Sequence, residues 1–128
     1  MFRSHALSEI VQLLEGREDI DVVVLEAECI DARNKSLGFL FSDLYKRPPI
    51  SEGIFFHLLV RGNFVCTGAV RRSTIQKKRI LFNEDLKYLN DWMFWLDLSC
   101  GTKFLFMAQP LYYYRIHGRA SSAEPNAF

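Results

Sequence analysis

Residues 4–30, SHALSEIVQLLEGREDIDVVVLEAECI, decide the fold class. Leu7, Ile10, Val11 and Leu14 recur at the i, i+3, i+4, i+7 spacing of one helical face; Ser4 is placed to cap that helix and Gly16 to stop it. After the charged turn Arg17-Glu18-Asp19 comes Ile20 to Ile30, whose Val22-Val23-Val24-Leu25 core is β-branched and too short for a helix. It reads as a strand buried on both faces. A helix followed at once by such a strand is half of an α/β unit, so the expected class is α/β, with strands buried on both faces by helices.

Beyond this stretch the signals shorten. Asp31 to Lys35 is turn-like, and Leu37 to Phe41 fits a short strand or an irregular arm. Lys46-Arg47-Pro48-Pro49 stops regular structure. A second helix is expected from Ser51 to Gly62, with Ile54, Phe55, Leu58 and Leu59 on one side. A short strand is expected at Asn63 to Cys66, a tight turn at Thr67-Gly68, and a short helix with a basic outer face within Ala69 to Lys78. Phe82 to Asn90 reads as a loop with one helical turn. From Asp91, the residues Trp92, Met93, Phe94, Trp95, Leu96 and Leu98 predict a helix almost wholly buried and closed by Gly101. Two strands, Lys103 to Met107 and Leu111 to His117, are expected on either side of Gln109-Pro110, and residues 119–128 are expected to fray.

The chain has 128 residues, which suits one domain over residues 1–128, and its 49% hydrophobic and 24% charged residues exclude a disordered linker. Sixteen Lys and Arg against fifteen Asp and Glu leave +1, so no large field points to nucleic acid. Arg71, Arg72, Lys77, Lys78 and Arg79 cluster, but without interleaved aromatics. Cys29, Cys66 and Cys100 match neither a CxxC metal pattern nor a disulfide framework, and read as core thiols in a reducing compartment. Without a long apolar run or a signal-peptide core, a cytoplasmic location is expected, compatible with peripheral membrane contact. Walker, GxGxxG, HExxH and GxSxG motifs are absent from the sequence.

Asp91 carries the main chemical signal. At 100° per residue it lies about 40° from Trp95 and about 20° from Leu98, which turns its carboxylate toward the apolar side. Two readings are open: Asn90 or Asp91 caps the helix, or Asp91 is a general base at the edge of an apolar wall. In the last strand the period of two puts Tyr113, Arg115 and His117 on one face. Arg115 with His117 suits a diphosphate or, through His117, a divalent metal; a surface arginine and a strand-ending histidine is the plainer alternative. His57 reads as a packed or half-exposed histidine, and Glu84-Asp85 as a solvated turn.

From Asn63 to Ser122 the chain resembles the carboxy-terminal half of family-two glycosyltransferases, inverting enzymes of the GT-A fold. The resemblance rests on Asn63-Phe64, Gly68-Ala69-Val70-Arg71-Arg72-Ser73, Phe82-Asn83-Glu84-Asp85-Leu86, Asn90-Asp91-Trp92 with Trp95-Leu96, and Pro110-Leu111 leading to Tyr114-Arg115-Ile116-His117-Gly118, in that order. The earlier helix, "DVVV" strand and Asp31 turn are similar too. The resemblance implies that Asp91 is the base that deprotonates the acceptor hydroxyl. It implies that Trp92, Trp95 and Arg71 serve the acceptor, and that Arg115 and His117 approach the donor diphosphate or its metal. Asn90 stands where the family usually has Glu. In the family a nucleotide-binding set of βαβ units and an Asp-x-Asp motif precede the point matching Met1-Phe2, so the resemblance implies a small mixed sheet flanked by helices without those units. The complete family enzyme would therefore use Mg²⁺ or Mn²⁺, a nucleotide-sugar donor and a glycan or lipid-linked acceptor. This chain is expected to bind no metal tightly and to be inactive by itself.

Three functions follow as expectations. The chain is the acceptor-side half of a transferase, a truncated gene product or part of a split enzyme completed by an amino-terminal half. Alternatively it is a non-catalytic remnant that binds a partner or itself; half a doubly wound sheet leaves an open strand edge, so a homodimer is expected under either reading. A carbohydrate-binding module using the Trp and Tyr faces is the third.

Overall fold

Val22–Ile30 forms β1, the strand around which the protein is organised; every residue in it is buried except the half-buried Glu28. The computed structural model describes residues 1–117. On one edge β1 pairs in parallel with β5, Lys103–Arg115, along its whole length. Its other edge is shared. Thr67–Val70 (β4) runs antiparallel to Val22–Leu25, and Ser36–Leu40 (β2) runs antiparallel to the far end near Glu28 and Ile30. Glu52–Ile54 (β3) closes the sheet by pairing antiparallel with β5. The result is a mixed sheet, as expected for an α/β chain.

The apolar character of β1 on both faces has its reason in the helices. Ala6–Gly16 (α1) lays Ala6 and Ile10 against Val23, Leu25 and Leu111. On the other face, Asn90–Ser99 (α5) lays Phe94, Trp95 and Leu98 against Val22, Val24, Phe104 and Phe106, joined by Phe55 and by Leu59 of Phe56–Leu59 (α3). A third cluster gathers Ala27, Cys29 and Phe41, the last from Phe41–Tyr45 (α2). Arg72–Lys78 (α4) follows β4 directly.

Several expectations are corrected. The span from Ser51 to Gly62 is not one helix: it is β3 and the single-turn α3, because Gly53 sits at φ 143°, outside helical space, and Glu52 and Ile54 pair with β5. Asn63 to Cys66 is irregular, and Thr67-Gly68 begins β4 instead of turning. The two expected carboxy-terminal strands are one. Register shifts near Pro110 absorb the residue that cannot donate to the ladder, so β5 continues through it. Ser4 does not cap α1; His5 holds that position without a side-chain bond. The aromatic helix is less buried than expected, since Asp91, Met93 and Asp97 are exposed. Cys29 is a core thiol, but Cys66 is half-buried and Cys100 exposed. The expected fraying of 119–128 lies outside the described residues. Among those described, no helix is long and apolar enough to cross a membrane.

Candidate functional site

The loop before α5 ends at Leu89 in the left-handed region, φ 61°, which swings the chain into the helix. Asn90 does not cap; its Oδ1 accepts the Asn83 N–H at 2.9 Å and closes the loop instead. Asp91 follows in the first helical turn, where the helix dipole favours a carboxylate. It is exposed and turned to the surface, not toward the Trp95 side as the helical wheel suggested. Its contact is with Asn63, whose Nδ2 lies 3.4 Å from Asp91 Oδ2. Asn63 Oδ1 accepts the Val65 N–H at 3.0 Å, which orients the amide so that its NH₂ faces the carboxylate.

Asp91 stands on a cleft of about 870 Å³ between the segment after α2, the turn after α3, and the start of α5. Trp92, Phe64, Tyr88 and Tyr45 supply aromatic walls; Lys46, Arg47 and Arg61 supply cations. Trp92 is fixed by its own hydrogen bond, Nε1 donating to the Leu59 carbonyl at 2.8 Å. Such a site offers ring faces for a sugar, donors for hydroxyls or anions, and one carboxylate able to take a proton.

The sequence did not single out Glu26, which underpins this cleft. It is 1% exposed, and its carboxylate accepts the Ala27 N–H at 3.0 Å, the Ser42 N–H at 3.2 Å and Arg47 Nη2 at 3.3 Å. Three donors satisfy a charge that burial would otherwise penalise. Glu26, like the half-buried Glu28, stands inside a mostly apolar strand, and that was the signal. Lys46 and Arg47 were legible only as part of the stop before Pro48 and Pro49, and Arg61 carried no signal, since nothing in their spacing brings them together.

The other expected site residues lie elsewhere. Trp95 is 9% exposed and packs against Phe94, with centroids 5.2 Å apart, so it is core and offers no acceptor platform. Arg71 donates to the carbonyls of Ile20 at 2.8 Å, Arg17 at 3.0 Å and Leu14, tying the end of α1 to the start of β1 away from the cleft. Arg115 clamps the turn before β2: it donates to Asp31 O at 3.0 Å, Ala32 O at 3.2 Å and Asn34 Oδ1 at 2.6 Å. His117 is exposed at the end of β5, and His57 is exposed rather than packed. Among the described residues no three His, Cys, Asp or Glu side chains converge, so they do not fit a cage for Mg²⁺ or Mn²⁺. Only Asp91 and Trp92 of the expected set meet in one place.

No family model matches the chain. It is similar to an uncharacterized glycosyltransferase of Haemophilus influenzae, 26% identical over 132 residues, a match that covers 94% of this chain and 38% of that protein. The chain thus spans less than two fifths of the length of the curated relative it matches, and its relation is to glycosyltransferases at a distance.

Proposed function

We propose that the chain is the acceptor-side part of a GT-A glycosyltransferase of the inverting kind, with Asp91 as general base. The observation that supports this best is Asp91 itself: a carboxylate without a cationic partner among the described residues, set on an aromatic cleft where a hydroxyl can dock. The acceptor O–H gives its proton to the carboxylate while its oxygen bonds to the anomeric carbon. The bond from that carbon to the diphosphate oxygen breaks on the opposite side, and the nucleoside diphosphate leaves. The nucleotide site and any divalent ion belong to a complementing amino-terminal half; the match takes in 38% of the relative, which leaves room for such a half.

The test is to co-express the chain with the amino-terminal portion of that relative and to follow transfer from UDP- and GDP-sugars. The expected result is transfer that Asp91→Asn lowers by about 10²–10⁴-fold, the usual worth of a positioned base, with an unchanged circular dichroism spectrum. Full activity in that variant removes Asp91 from the mechanism. A second reading, self-association, draws on β4: its residues are half-buried, and among the described strands it pairs with β1 alone. Sedimentation velocity decides it, since a monomer at all concentrations tells against pairing through that edge.

A further inference from the structure

We infer that the cleft selects an acceptor bearing a negative charge, a phosphate or carboxylate beside the sugar ring. The inference rests on the acceptor-side reading above and names the class of acceptor. Three cations, Lys46, Arg47 and Arg61, line the cleft against one carboxylate, Asp91. The whole chain is nearly neutral at +1, so this is a local concentration of positive charge. Lys46 and Arg61 have no acidic partner among the described residues. Arg47 gives one nitrogen to Glu26 at 3.3 Å, with the guanidinium carbon 5.5 Å from the Phe106 ring centre, and keeps other donors free. Even with Glu26 counted against Arg47, the cleft keeps a net positive charge.

The backbone fixes the segment that carries two of these cations, Lys46 and Arg47. Lys46 sits at φ 59°, ψ 134°, a conformation that a side-chain-bearing residue adopts only under constraint. Pro48 and Pro49 follow immediately and restrict the chain on the other side. Buried Glu26 anchors both Arg47 and the Ser42 amide, so α2 and the cationic segment are fixed together to β1. Lys46 and Arg61 are exposed at the cleft and have no acidic partner among the described residues, so a phosphate or carboxylate bound there gains charge-assisted hydrogen bonds from them that a neutral sugar does not. Trp92 and Tyr88 are placed for the ring of the same molecule.

The experiment titrates the purified full chain with glucose 6-phosphate, glucose, inorganic phosphate and UDP, observed through backbone amide shifts. Glucose 6-phosphate is expected to shift the amides of residues 61–65 and 88–92 and to bind about tenfold tighter than glucose, one charge-assisted contact's worth. Arg61→Ala and Lys46→Ala are expected to remove that preference while leaving the dichroism spectrum unchanged. Equal binding of the two sugars, or no binding of either, overturns the inference. So does inorganic phosphate binding as tightly as the sugar phosphate, which marks a simple anion site. UDP displacing glucose 6-phosphate from the same amides overturns it too, because the cations then serve the donor. In the complemented enzyme, equal transfer to neutral and phosphorylated acceptors refutes this inference and leaves the transferase reading standing. Charge-selective binding without transfer refutes the transferase reading, and with it the role of the bound molecule as acceptor, while the cleft's preference for a charged ligand stands.

Discussion

Gly68→Ala tests the packing on which the cleft-bearing face depends. A Cβ at this position meets the Val23 carbonyl oxygen at 2.9 Å and Trp95 Cη2 at 3.0 Å, with Cζ3 at 3.5 Å. Neither neighbour can yield easily. Val23 belongs to β1, held between β4 and β5, and the Trp95 ring is wedged in the core against Phe94. Overpacking of this kind costs about 1–3 kcal/mol. The reduced freedom of the unfolded chain returns about 0.4–1 kcal/mol. The net expectation is a loss of about 1–2 kcal/mol, or about 4–8 °C in Tm for a chain of this size. Thermal and urea unfolding followed by circular dichroism measure it. Trp95→Phe removes the ring atoms but not the carbonyl, so in the double variant about 0.5–1 kcal/mol of the Gly68→Ala cost is recovered. A Gly68→Ala protein as stable as the parent, or more so, would refute the reasoning and with it the close approach of β4 to α5.

The cysteines and the acid limb give two more tests. Burial is the chief cause that pushes the Cys66 thiol up to about 12 and Cys29 up to about 11, whereas Cys100 is exposed. Alkylation at pH 8 is therefore expected to label Cys100 alone in the folded protein and all three after denaturation, as counted by mass; a second rapid label would contradict the burial. Hydrogen bonds from Arg17 and then Lys103 hold the Asp19 carboxyl well below the usual range. A depressed folded pKa stabilises above the unfolded value of about 3.9 and loses that stabilisation as pH falls through the folded value. The urea midpoints of the parent and Asp19→Asn should differ at pH 7 and converge on acidification below about pH 4; a constant gap would show that the carboxylate contributes nothing through its charge.

Periodicity over residues 4–30 was enough to recognise α1 and β1 as elements, and the β-branched run is buried as read; of the helical stripe only Ile10 is buried, while Leu7 and Val11 are exposed. It misled where two patterns coincide. Ile54, Phe55, Leu58 and Leu59 fit a helical face, yet Ile54 pairs with Lys103 in a sheet while Leu59 belongs to a single helical turn. Gly53, the residue that breaks the helix, was visible but its φ was not. β5 was cut in two for the opposite reason: Pro110 is a strand breaker locally, and only pairing to β1 on both sides of a bulge shows that the strand goes on.

The site divides in the same way. Residue type and position marked Asp91 as a cap or a base, and the ordered family-like motifs singled it out as the base; the helical wheel, however, turned its carboxylate to the apolar side, whereas it is exposed on the cleft. The β-branched run that follows the amphipathic helix likewise determined an α/β chain with both faces of its central strand covered. Tertiary structure decided which aromatic is wall and which is core: Trp92 and Trp95 are three residues apart with equal hydropathy, and only packing against β4 distinguishes them. It also decided that Arg71 and Arg115 are spent on backbone carbonyls, and that Lys46, Arg47 and Arg61 share a cleft. Local sequence records the apolar pattern of each segment, a property of one residue and its near neighbours. Convergence of charges distant along the chain depends on how the segments cross, which only the folded sheet sets.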